Sequence, residues 1–294
     1  MHRLPGLTLT TFAIVCALAC TGTSGRWAGT AGASHAGAIM GAKIGQPLVL
    51  PAILPNRVLG VPILMYHHVS SAPAATALNY GLTVTDANFA DQLAYLRSHG
   101  FHTITLTQLF AALYRNAHLP SKPIVLTFDD GYQDNYSDAL PLLLKYRAHG
   151  EFNIISSYAG LTLGVNSYMD WGQLAALAHN GMEIGSHTVD HNDLGFMTVS
   201  KIRFELRDSR NTLQLKLKVP VQFLAYPSGQ PFARGDLAQE QVVLSLLPQY
   251  GYVGALLDGP LSTSRQDARQ PFQLQRIRVS GGESLSAFAA SLQN

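Results

Sequence analysis

Cysteine is almost missing: the 294 residues contain two, Cys16 and Cys20. Both lie in the first apolar stretch, so a processed chain carries no disulfide, or begins at Cys20 if that residue is lipidated. Charge is scarce as well. Only 13% of residues are charged and the formal net charge is +2. No block of Lys or Arg forms a phosphate-binding stripe, which argues against a nucleic-acid or membrane-surface partner. The longest N-terminal apolar run, Leu7 to Cys20, is too short to cross a bilayer comfortably. What the chain has is hydrophobic residues, 47% of the total, enough for a sizeable core and one catalytic-size domain behind an N-terminal extension.

That extension divides in two. Residues 1–25 pair His2 and Arg3 with the apolar run and then small polar residues, the pattern of a secretory signal; lipidation at Cys20 and an uncleaved membrane anchor are the alternatives. Leu18 stands one place nearer the cysteine than lipoprotein signals require. Residues 26–60 are rich in Gly, Ala and Pro and read as a linker. Residues 61–294 form the expected catalytic domain, placed outside the cytoplasm by the signal.

Within that domain short β-type runs alternate with helical patterns. Strands are expected at VPILMYHHV, HTITL, PIVLTF, EFNIISS, EIGSH, VQFLAYP, GYVGALL and RIRV. Helices are expected at DANFADQLAYLRSHG, with Asp86 as cap and Gly100 at its end, at YSDALPLLLKYRAHG and DWGQLAALAHNG, near Val199 to Leu217, near Leu237 to Tyr250, and from Ser284. Such alternation builds an α/β fold with a parallel sheet or barrel inside a helical layer, and its chemistry sits at the carboxyl ends of the strands. Four polar clusters stand at those ends: YHHV, TFDDG, GSHTVDH and AYPSG.

An acidic pair before a glycine is ordinarily a solvated turn, and a lone histidine pair is ordinarily surface or capping. Here they come together. His187 and His191, four residues apart, point the same way on a helical turn, and two imidazoles with one carboxylate are a common ligand set for a catalytic divalent ion. Asp130 is the expected carboxylate ligand. Asp129 stays off the ion and acts as general base toward water, and the ion's charge offsets the repulsion between the two adjacent carboxylates.

TFDDG and HTVDH resemble the first two motifs of the NodB-type polysaccharide deacetylases, carbohydrate esterase family 4, and the resemblance runs from about Val61 to the C-terminus. It is closest to the extracellular branch that opens on a YH strand, closes on an RI-V strand and includes deacetylases of poly-N-acetylglucosamine. The resemblance implies a distorted (β/α) barrel and one divalent ion on Asp130, His187 and His191, with zinc expected and cobalt, nickel or iron as alternatives. It implies hydrolysis of N-acetyl groups on an extracytoplasmic amino-sugar polysaccharide, Asp129 as base, and His67, directly after Tyr66, as proton donor. The family's third motif is degraded: in AYPSG, Ala225 stands where an arginine is usual and Ser228 replaces an aromatic. The turn leaves the Ser228 N–H as oxyanion donor, and Arg276 is the candidate to replace the missing arginine, with a surface position on an edge strand as its alternative. An O-acetyl esterase and a catalytically impaired carbohydrate-binding protein are the rival functions; the second draws on Ala225 and on Glu151 and Asn153, polar residues in a strand usually more apolar.

Overall fold

The computed structural model describes residues 48–72, 76–258 and 263–293. The expected signal, residues 1–25, lies outside them. The eight strands of the central sheet are β1 (Ile63–Tyr66), β2 (His102–Thr103), β3 (Pro123–Phe128), β4 (Glu151–Ile154), β5 (Glu183–Ser186), β6 (Phe223–Ala225), β7 (Gly254–Leu256) and β8 (Ile277–Arg278). Their order is β7-β6-β5-β4-β3-β1-β8, with β2 beside the start of β3, and all pairings are parallel. The sheet curls until Leu256 meets Leu274, on the approach to β8, in a parallel bridge. The expected distorted barrel is the architecture found.

Helices α1 (Asp86–Ser98), α3 (Leu140–Tyr146), α4 (Trp171–His179), α5 (Val199–Leu217), α6 (Leu237–Gln249) and α7 (Leu285–Ser291) are near the expected segments. The cap of α1 is Thr85, whose side chain accepts from the Asn88 N–H; Asp86 instead places its charge in the first turn. The helix α2 (Leu106–Arg115) is absent from the sequence reading. There HTITL passes for a strand, but only His102–Thr103 pairs, because Thr105 and Gln108 form a capping box that starts a helix at Leu106. This helix closes the barrel floor. Phe110 packs with Ile63, Val125, Phe223 and Ala225, and a Cβ on Gly254 would strike its ring, so only glycine lets β7 pass.

The segment expected as linker also differs. Leu48 is buried with its N–H on Gln222 Oε1 at 2.5 Å, and Val58–Gly60 pairs antiparallel with Arg265–Asp267, so the described part of 26–60 belongs to the domain. It is apolar enough at Leu48, Leu50 and Leu59 to cover the lower core.

Strand alternation sorts the layers. Tyr66, Phe128 and Phe152 face the helices and stack successively at 5.3 and 4.7 Å between ring centres. Aromatic burial of this kind contributes about 1.5–3 kcal/mol per side chain. The opposite parity, Thr127 and Asp129, Glu151 and Asn153, Gly185 and His187, then faces the interior.

Candidate active site

The mouth of the barrel is assembled from residues that leave the strands in strained backbone. Asp130, Thr188, His191 and Ser228 all hold left-handed conformations, with φ of 74°, 66°, 57° and 52°. Each costs about 1–3 kcal/mol and persists where surrounding bonds fix it. The spacing of His187 and His191 does not reflect a helical turn, as the sequence suggests. Residues 187–191 form a bend in which Thr188 and His191 reverse the chain, and the two rings meet edge to face at 4.7 Å.

One carboxylate holds this bend. Glu205 of α5, fully buried, accepts the N–H groups of Val189 at 2.8 Å and Asp190 at 3.0 Å, and pairs with Lys201 at 3.2 Å. The sequence reading missed it. Its signal was a glutamate within the buried stripe of Ile202, Leu206, Ser209 and Leu213. Asp190, the residue before His191, bonds Lys201 at 3.1 Å and lies on the rim.

The expected ligands converge. Asp130 Oδ1 lies 3.3 Å from His187 Nε2 and 3.4 Å from His191 Nε2, and one donor atom from each of the three residues falls within 4.8 Å of the others. His187 gives its Nδ1 hydrogen to the Ala225 carbonyl at 2.8 Å, which turns the Nε2 lone pair toward Asp130. Asp130 Oδ1 is buried and lacks a hydrogen bond of acceptable geometry. Lone pairs facing lone pairs in a buried site fit a divalent cation. Burial pulls the His187 imidazole down, but Asp130 and Asp129 raise it further, so the net direction is up; burial and His187 leave His191 below its ordinary value.

Asp129 is buried beside this cluster. Arg276 donates Nη1 to its Oδ1 and Nη2 to its Oδ2, both at 2.8 Å, and Asn153 Nδ2 donates to Oδ1 at 2.8 Å. Burial by itself would raise this carboxyl; Arg276, followed by His187 and His67, holds it well below the usual carboxylate range. Arg276 is fully enclosed, with Nε on the Leu257 carbonyl at 2.8 Å, so it is not a surface residue of an edge strand. Arg278 faces the rim and pairs with Asp258 at 2.6 Å.

His67 and His68 separate as alternation requires. His68 bonds Asp134 at 2.6 Å and stacks on Tyr132 at 3.5 Å, which commits it to the wall. His67 is buried, its Nδ1 has no partner, and its strongest charged neighbours are Asp130 and Asp129. Burial lowers its pKa and the two carboxylates offset part of that. Ser228 lies exposed on the Pro227–Gly229 turn, three residues beyond the carbonyl that holds His187. Its left-handed backbone makes Pro227–Gly229 a tight reversal rather than a run of helix, closed by the Gly229 N–H on the Tyr226 carbonyl at 3.1 Å.

A family model described as polysaccharide deacetylase matches residues 116–252. The putative polysaccharide deacetylase YxkH of Bacillus subtilis (strain 168) is 30% identical over 234 residues, 80% of this chain and 76% of that protein. The poly-beta-1,6-N-acetyl-D-glucosamine N-deacetylase of Escherichia coli (strain K12) is 27% identical over 141 residues, 44% of this chain and 20% of that protein. Among solved structures, the Streptococcus pyogenes deacetylase PplD in complex with acetate has a TM-score of 0.70 at 25% identity, covering 82% of this chain and 100% of that one. IcaB from Ammonifex degensii shares the fold, with a TM-score of 0.65 at 24% identity over 80% of this chain and 97% of its own.

Proposed function

The chain belongs to the polysaccharide deacetylase family and is a deacetylase hydrolase; within that family we propose that it removes N-acetyl groups from an extracytoplasmic amino-sugar polysaccharide, of the poly-N-acetylglucosamine, chitin-like or peptidoglycan class, with one divalent ion. The observation that carries this reading is the adjacency of an ionised, arginine-held Asp129 to the three converging donors of Asp130, His187 and His191.

Asp130, His187 and His191 would hold the divalent ion, zinc by preference, which when bound would supply Lewis acidity and ease the deprotonation of water. Asp129 takes the proton from the attacking water. Its Oδ1 already accepts two hydrogen bonds and Oδ2 one, so Oδ2 is the atom left to do so. The Ser228 N–H meets the oxygen that gains negative charge. His67 delivers a proton to the departing amine nitrogen. Arg276 keeps Asp129 ionised and fixed in place.

The substrate class draws support from the relatives named for poly-beta-1,6-N-acetyl-D-glucosamine. The extracytoplasmic site, with secretion, retention or attachment through the N-terminus, draws on residues 1–25. Acetate release from a panel of N-acetylated and O-acetylated glycans, with and without chelator, tests the reading. We expect chelator-sensitive release from N-acetylated polymers. Release from esters alone would make the protein an O-acetyl esterase, and binding without release an impaired carbohydrate-binding protein.

A further inference from the structure

Two polar residues of β4, Glu151 and Asn153, lie on the interior face of the barrel, where the deacetylase reading gives them no part. Both are buried. Asn153 Nδ2 bonds Asp129 Oδ1, while Asn153 Oδ1 and both carboxyl oxygens of Glu151 have no partner. The unpartnered atoms share one space. A Cβ on Gly185, in the neighbouring strand, would collide with Asn153 Oδ1 and with Glu151 Oε1, so glycine there leaves room for two polar side chains to meet.

Hydrogen-bond parity decides what they do. An ionised Asp129 only accepts, so it must receive the amide nitrogen of Asn153. That turns the amide oxygen toward Glu151. An ionised Glu151 would set acceptor against acceptor in a buried space, whereas a protonated Glu151 donates. The groups around Glu151 are Glu183, paired with it in register, Asp129, and the single cation Arg276, which Asp129 already engages on both oxygens.

We infer that Glu151 is a neutral carboxylic acid whose O–H bonds the Asn153 oxygen, and that Glu151 and Asn153 together are a positioning pair that fixes Asp129. Burial first, then the Glu183 charge and a side-chain hydrogen bond with Glu183, push the Glu151 carboxyl well above its ordinary value, which agrees with a neutral Glu151 and makes Glu183 the rival acceptor of its proton. The inference rests on the deacetylase reading for its effect on turnover, but the protonation itself does not depend on that reading.

Glu151→Gln replaces the O–H donor with an N–H donor of the same shape, and Glu151→Leu removes it. In the metal-loaded enzyme E151Q keeps kcat within about threefold, whereas E151L lowers it about tenfold or more at unchanged KM and metal content, because a buried acceptor is left unpaired. Asn153→Ala gives a loss like that of E151L, and adding E151L to it costs little more. Infrared difference spectra at neutral pH provide a readout free of activity: the wild type shows the carbonyl stretch of a protonated carboxyl that E151Q lacks. No such band, or equal kcat in E151Q and E151L, overturns the inference. If E151L does not fold, the infrared band decides.

Discussion

Arg276 grips both oxygens of Asp129 at 2.8 Å from a position 147 residues further along the chain. The pair joins β3 to the run into β8 across the barrel interior, and it stands where Ala225 supplies no side chain for the task. A planar fork matched to a planar carboxylate fixes direction as well as charge.

Arg276→Ala strips a buried carboxylate of its main counter-charge. Burial then weighs more against the charged form, and the Asp129 pKa rises from well below the ordinary carboxylate value of about 3.9. Asp129 must be ionised to act, so the acid limb of kcat/KM moves to higher pH; Arg276→Lys moves it less. The sign for stability follows. A depressed carboxyl stabilises the fold above its unfolded value of about 3.9 and loses that contribution as pH falls through the folded value. Wild type therefore exceeds R276A in stability by about 3–5 kcal/mol at neutral pH, converging in strong acid. An unchanged pH–rate profile in folded R276A contradicts the assignment.

Glu205→Gln places an amide where Glu205 now receives two backbone N–H groups and the Lys201 ammonium. The bend that presents His191 loosens. Zinc affinity measured by titration calorimetry should fall about 10–100-fold, with the thermal transition of the metal-free protein lowered less in proportion. Unaltered affinity would show that the bend keeps its shape without this carboxylate.

His67→Ala is read through the leaving group. An amine departs poorly unless protonated, while the phenolate of an activated aryl acetate needs little help. The variant should lose about 10²–10⁴ in rate on an N-acetylated sugar, retain much of the ester hydrolysis, and keep its metal. Equal slowing on both substrates, or an emptied metal site, withdraws the proton-donor role.

Much of the fold was legible because its strands and helices carry strong local signals: apolar runs at PIVLTF and VQFLAYP, a capping box at Asp170 and Gln173, and a helix stripe that spans Val199–Leu217 as expected. The helix α2 was not, since its cap follows a two-residue strand with no turn residue between them. In the site, the convergence of Asp130, His187 and His191 could be read from motif spacing, though for the wrong geometric reason: left-handed residues, not a helical turn, bring His191 back to His187. Arg276 could only be nominated, because its reach to Asp129 depends on how the barrel closes. Glu205 escaped, and Glu151 and Asn153 were legible only as polar residues out of place in a strand, because the partners that burial gives a polar side chain are a tertiary property.

The central claim is that the two adjacent aspartates divide the work, Asp130 holding the ion and Asp129 moving the proton. Asp129→Asn tests it in one preparation by metal analysis alongside turnover on an N-acetylated oligosaccharide. The amide keeps the size of the side chain but cannot accept a proton from water. The account predicts one divalent ion per chain, as in wild type, with turnover lowered about 10²–10⁴-fold. Near-normal turnover, or a loss of the ion equal to that caused by Asp130→Asn, contradicts it.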